Sequence, residues 1–196
     1  MEKLESVIQP TMGIFTNIGS SHSEGFTCQE EKIREKLILF KGVDVLVYCK
    51  DHNPLDKIIS ESNLKTFSWG ANPLATVNVD FKGDISFIVY KNEKHELRLP
   101  FSDKASQENC LHCVALMLSM GYDIAVIQEK ITVLRSIPMR MELKEGINQC
   151  QLIDDSYNND LGGLALALQF LTNQRQKEKK RLILSDILES GLGHEE

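Results

Sequence analysis

Thr11 to Phe26 reads TMGIFTNIGSSHSEGF, and it places an imidazole and a carboxylate, His22 and Glu24, in a Gly/Ser loop after a short apolar run, Met12 to Phe15. A hydrophobic strand that ends in a small-residue loop is where an open α/β sheet puts its ligand. Other polar clusters fall at loops or helix starts where a nucleotide site could form. They are Lys36, Asn109, and Arg140 with Asp154-Asp155-Ser156-Tyr157-Asn158-Asn159; Asn17 joins the cluster of His22 and Glu24. Taken singly, each has an ordinary alternative. His22 can be a surface loop residue, and Lys36 one more charge on a helix that also holds Lys32, Arg34 and Lys41. Asn109 can be a polar residue in the first turns of a helix, and DDSYNND a turn rich in cap formers.

The elements that must position these residues follow from periodicity and punctuation. Leu4, Val7 and Ile8 have helical spacing, and Pro10 stops that helix before the Met12–Phe15 strand. Beginning in a helix is unusual for an α/β domain and predicts that the chain starts partway through a larger unit. Glu30 to Lys41 is amphipathic, with Ile33, Leu37 and Phe40 on one face, and ends near Gly42. Val43 to Cys49 (VDVLVYC) is a nearly continuous apolar run, the pattern of a buried parallel strand. Asn53-Pro54 opens a helix through Ser62, and Lys65 to Trp69 reads as a strand before the turn cluster Gly70-Ala71-Asn72-Pro73.

Ala75–Phe81, Ile85–Tyr90 and His95–Leu99 then read as an antiparallel meander, and helices return at Lys104–Met120 and Ile124–Leu134. A second unit follows. Met141–Leu143 and Gln149–Ile153 form a hairpin, Leu161–Leu171 a helix, and Arg181–Leu184 a further strand with Ser185-Asp186 at its tip. One strand–helix–strand step is too little for a finished Rossmann-like domain.

The bulk numbers narrow the function classes. The chain has 196 residues, 42% hydrophobic and 26% charged, an ordinary globular composition. A net charge of -6, with no basic block interleaved with aromatics, argues against nucleic acid as a partner. No apolar segment is long enough to span a bilayer, and no signal peptide opens the chain, so no membrane insertion is expected. Five cysteines without a disulfide-framework pattern fit a reducing cytoplasm. Cys110-Leu111-His112-Cys113 lies inside a helical apolar pattern, which predicts buried thiols rather than a zinc or redox site.

Taken together, the segments PTMGIFTNIGSSHSEGF, EKIREKLILF, PFSDKASQENCLHC, SIPMRMELKEGINQCQLIDDSYNNDLGGL and LILSDILESG resemble, in order, the Mur ligases, the ATP-dependent amino-acid ligases of peptidoglycan synthesis. The blend of NIG..H.EGF with DDSYN and SDILESG is most similar to the branch that adds D-alanyl-D-alanine to UDP-N-acetylmuramoyl-tripeptide, which in some bacteria is fused ahead of an alanine racemase. The resemblance implies an α/β fold: a mostly parallel sheet with helices and a small antiparallel subsheet. Residues 1–137 would be a partial central ATPase domain, and 138–196 the beginning of a Rossmann-like C-terminal ligase domain.

The resemblance also implies ATP and Mg2+ as cofactors and assigns the residues. His22 would hold one magnesium, and Lys36, fourteen residues later, would carry a carbamate supporting it. Carbamylation turns a cationic amine into an anionic oxygen ligand, which a hard cation requires. It needs an uncharged amine, a state lysine reaches when its surroundings lower its pKa. Asn109 would read adenine through its side-chain amide. Arg140 would meet the ATP phosphates with forked donors. Asp155 would bind ribose, with Tyr157 and Asn159 contacting the nucleotide.

The chain also departs from the family pattern. Ala105 and Ser106 stand where the family carries a His-Asn pair, and nothing matches G-x-x-G-K-[ST], the phosphate-cradling loop. The family's metal-binding glutamate falls upstream of residue 1. The expectation is therefore a ligase fragment, inactive or nearly so alone, lacking ligase domains that the complete enzyme would supply. The rival expectations are another ligase of the superfamily, such as a folylpolyglutamate synthase, and a non-catalytic remnant or scaffold. No lysine lies in a recognisable pyridoxal-phosphate setting, so racemase activity is not expected here.

Overall fold

A strand apolar at every position is stable only with cover on both faces, and the run VLVYC obtains it. In the computed structural model, which describes residues 1–19, 26–82, 85–135, 137–157, 160–174, 179–185 and 187, this run is β2 (Val45–Cys49). It pairs in parallel with β1 (Met12–Phe15) on one side and β3 (Thr66–Gly70) on the other. Leu46 and Tyr48 point to one face with Phe15, meeting Ile33 of α2 (Gln29–Leu37) and Leu55, Ile58 and Ile59 of α3 (Asn53–Ser60). Val47 and Cys49 point to the other, toward Cys110, Leu111 and Val114 of α4 (Lys104–Ser119) and Ile127 and Ile131 of α5 (Ile124–Ile131). Alternate side chains of one strand thus bind two layers of helices to one sheet. A short α1 (Glu2–Ile8) precedes β1.

The sheet of this first unit, formed by residues 1–18 and 26–134, has six strands in the order β1-β2-β3-β4-β5-β6. β3 and β4 (Val77–Lys82) are parallel although only Ala71 to Thr76 separates them. A parallel return normally needs a dozen or more residues. Here only the last two residues of β3 pair with the first two of β4, Trp69 with Val77 and Gly70 with Asn78, so the chain merely sidesteps and continues in the same direction. Asp51 fixes that step by accepting from the backbone N–H groups of Ala71 (2.7 Å) and Asn72 (2.9 Å). β5 (Ile85–Tyr90) and β6 (Glu93–Arg98) complete the expected antiparallel meander.

A second unit begins at Arg135. It contains the hairpin of β7 (Glu142–Glu145) and β8 (Gln151–Asp154), then α6 (Leu161–Asn173), whose N-terminus is capped by Asp160 accepting from the Gly163 N–H at 2.9 Å. Two expectations fail. Residues 179–185 carry no regular structure, so the strand expected at Arg181–Leu184 is not formed, and Ile183 is 95% exposed. An apolar run becomes a strand only where a neighbour supplies backbone partners, and the strands described in this unit pair with each other. In α4, Cys110 is buried but Cys113 is exposed, because the buried stripe follows Cys110, Leu111, Val114 and Leu118. Together the sheets give the expected α/β class, a mostly parallel six-stranded sheet and a small antiparallel one.

Candidate functional site

β1, β2 and β3 all end at one edge of the large sheet, and β6, antiparallel to the antiparallel β5, ends there as well. The carboxyl edge is where such sheets bind ligands. α4 enters from it, its first turn held by Asp103, whose carboxylate accepts from the Ser106 N–H at 2.7 Å. Glu108 and Asn109 follow in its second turn, with Asn109 exposed. From the loop after β2, His52 reaches across to α4, its Nε2 lying 2.8 Å from Glu108 Oε1.

This pairing sets the charge of the edge. The neighbouring Cys49 side chain and the Glu108 carboxylate together outweigh burial and push the His52 imidazole up to about 10, so it is a cation at neutral pH. Burial pushes the Glu108 carboxyl up, but the His52 imidazolium overrides it and holds the group below its usual range. Beneath them, His112 is 1% exposed and its Nδ1 accepts from Trp69 Nε1–H at 2.9 Å. The bond fixes a neutral ring protonated at Nε2, and that N–H has no partner among the described residues. Burial pushes His112 down to about 4. None of these contacts is foreshadowed by spacing, since His52 and Glu108 are 56 positions apart and Trp69 and His112 are 43.

The expected site residues are distributed as follows. His22 and Asn159 lie outside the described residues. Lys36 is half-buried in the last turn of α2, which covers the sheet face opposite α4, so it does not adjoin Asn109. One turn earlier, Lys32 is only 5% exposed, and burial, reinforced by the charge of Lys36, pushes its ammonium below the ordinary lysine range.

Magnesium needs hard oxygen donors. Among the described residues no three His, Cys, Asp or Glu side chains converge on a metal position. Lys36 as an ammonium offers no donor. A carbamate there would supply oxygens and would turn its repulsion of Lys32 into attraction. On the donor chemistry, the described residues fit magnesium only with Lys36 so modified.

In the second unit three expected residues do come together. The Arg140 guanidinium lies 4.3 Å from the centre of the Tyr157 ring, a cation–π contact. Asp155 Oδ1 accepts from the Met141 N–H at 3.0 Å, and the Tyr157 N–H donates to the Met139 carbonyl at 3.1 Å. Met139 and Met141 both adopt left-handed backbone, with φ of 59° and 48°. Such conformations cost an L-residue energy and persist only where surrounding bonds enforce them, as these do. The result is a short strained segment presenting Arg140 over an aromatic plate beside a carboxylate. Tyr157 is 60% exposed, so the outer edge of the plate is open to a ligand.

Comparison with known proteins agrees with this architecture. The Mur ligase middle domain matches residues 1–117. The UDP-N-acetylmuramoyl-tripeptide--D-alanyl-D-alanine ligase of Bacillus subtilis is 25% identical over 195 residues, covering 97% of this chain and 42% of that protein. A UDP-N-acetylmuramoyl-L-alanyl-D-glutamate--2,6-diaminopimelate ligase of Clostridium acetobutylicum is 26% identical, covering 84% of the chain and 35% of that protein. The crystal structure of MurF ligase from Thermotoga maritima in complex with ADP superposes with a TM-score of 0.71 at 17% identity, covering 86% of the chain and 41% of its own. The chain thus spans less than half the length of these relatives.

Proposed function

This chain belongs to the Mur ligase family, and from that premise we propose that it is part of an ATP-dependent ligase that joins D-alanyl-D-alanine to UDP-N-acetylmuramoyl-tripeptide. The observation that carries the reading is the similarity to the UDP-N-acetylmuramoyl-tripeptide--D-alanyl-D-alanine ligase of Bacillus subtilis across 97% of the chain; the resemblance read in the sequence assigns Lys36, Asn109, Arg140 and Asp155 to the site. In this reading, residues 1–137 form most of an ATPase domain and 138–196 open the Rossmann-like ligase domain.

The chemistry is transfer of the ATP γ-phosphoryl group to the tripeptide carboxylate. The dipeptide amine then attacks the acyl carbon, and phosphate leaves the tetrahedral intermediate. Such transfer is mainly a matter of positioning and charge neutralisation. His22 and a carbamylated Lys36 would hold magnesium, which would supply charge neutralisation. Arg140 contributes permanent charge and forked donors toward phosphate, and its place over Tyr157 limits the orientations of the guanidinium. Asp155 spends Oδ1 on the Met141 N–H, and Oδ2 would accept from a ribose hydroxyl. Asn109, exposed on α4 at the carboxyl edge, would read the adenine edge by donating and accepting at once. By the same resemblance Tyr157 and Asn159 would contact nucleotide.

No G-x-x-G-K-[ST] occurs in the sequence, so the chain alone should bind nucleotide weakly and turn over negligibly. Calorimetry with ATP and magnesium tests the reading. Weak, saturable heat that disappears in Asn109→Ala supports it; no heat from the folded chain would favour a remnant without a nucleotide site. A coupled phosphate-release assay with UDP-N-acetylmuramoyl-tripeptide and D-alanyl-D-alanine should stay at background, and robust turnover would contradict the incomplete-site reading. The Clostridium similarity keeps a second amine substrate in view, and supplying 2,6-diaminopimelate with UDP-N-acetylmuramoyl-L-alanyl-D-glutamate in that assay, run on a ligase that contains this chain, would distinguish the two.

A further inference from the structure

The hydrogen-bond arrangement around His52 points to a role that neither its neighbours in sequence nor the proposed site residues account for. His52 follows the end of β2 at the carboxyl edge and is fastened to α4 by the 2.8 Å contact between its Nε2 and Glu108 Oε1. Glu108 immediately precedes Asn109, so the imidazole is anchored one residue from the exposed amide proposed to read the base. With its Nε2 engaged by Glu108, the ring has a face left to offer. The His52 side chain is 35% exposed, whereas its partner Glu108 is 16% exposed.

The face of α4 that carries Asn109 is low. Residues 105 and 109 are one helical turn apart and share a face, and position 105 carries alanine. A flat cation standing beside a low helical surface, next to an exposed amide, suits a flat, electron-rich, uncharged ring. A cation over an aromatic face at an exposed site is worth up to about five-fold in affinity.

We propose that His52, clamped by Glu108, is a base-contacting residue of the nucleotide site, stacking its ring against a purine whose edge is read by Asn109. The inference rests on the nucleotide-site reading given above and adds to it the wall on which the base lies. Glu108 is a positioning residue, holding the plane of the imidazole without touching the ligand.

The test is NMR titration of the full chain with adenosine 5′-monophosphate and, separately, ribose 5-phosphate, which lacks the base. The His52 ring protons are assigned by their loss in His52→Leu. They should move upfield and saturate with the mononucleotide and stay still with ribose 5-phosphate. His52→Leu should weaken mononucleotide binding about five-fold, while His52→Phe, which keeps a flat ring but loses the cation, should fall between that variant and the unsubstituted chain. Circular dichroism of both variants checks that the fold is intact. If the Asn109 side-chain amide shifts on titration while the His52 protons do not, His52 is not a base contact and the nucleotide reading stands. If neither moves at millimolar mononucleotide, the nucleotide reading and this inference fall together.

Discussion

The pair formed by Trp69 and His112 gives a prediction whose size can be worked out. His112 is buried and neutral, accepts from the Trp69 indole, and has its pKa lowered from 6.5 to about 4. In the unfolded chain the same imidazole titrates at its ordinary value. As pH falls below 6.5 the unfolded state takes up a proton that the folded state refuses, so stability is lost until the folded pKa near 4 is passed. Moving from about pH 7 to about pH 5, this one group should remove about 2 kcal/mol of folding stability. His112→Gln keeps an acceptor for the indole and removes the titration. Urea unfolding can be followed by the fluorescence of Trp69, the sole tryptophan, for both proteins at both pH values. Carboxylate titrations are common to the two and cancel, leaving the His112 contribution in the difference of slopes. Equal acid sensitivity in the two proteins would refute the assignment of a neutral, desolvated His112.

Other perturbations follow from single contacts. Gly70 has φ of 153°, and a Cβ there would meet Asp51 Oδ1 at 2.7 Å, so Gly70→Ala should destabilise the first unit by about 2 kcal/mol or more in urea unfolding. Gln128 closes the outer edge of β6, its Oε1 accepting from the Arg98 N–H at 3.0 Å and its Nε2 donating to the Arg98 carbonyl at 3.4 Å. Gln128→Ala should cost about 1 kcal/mol and raise concentration-dependent self-association, measured by light scattering, because it reopens a strand edge. Asp160→Ala removes the cap of α6 and should cost that helix about 1 kcal/mol, seen as faster amide exchange at residues 161–164.

Much of the first unit was legible because its cues are local. The unbroken apolar run of β2 announced burial on both faces, and Pro54 and Gly121 marked a helix start and a helix end. The meander followed from short β-rich runs between turn residues, and Lys91 and Asn92 do supply its two left-handed turn positions, with φ of 51° and 65°. What stayed hidden is long-range. The His52–Glu108 and Trp69–His112 contacts join residues that no periodicity relates, and the burial of Lys32 depends on which face of α2 meets the sheet. Arg181–Leu184 failed as a strand because composition registers apolar character but not whether a pairing partner lies alongside. Among the expected site residues, Arg140, Asp155 and Tyr157 are drawn together by the left-handed turns at Met139 and Met141, which sequence pattern does not signal in methionine.

Photolabelling with 8-azido-ATP in the presence of magnesium, followed by peptide mapping, tests most directly the claim that this chain carries part of a Mur ligase nucleotide site. The account predicts that label is competed by ATP and falls on the start of α4 around Glu108 and Asn109 or on the loop carrying His52. Competable label confined to the β5–β6 meander, or no competable label on the folded chain, would contradict it.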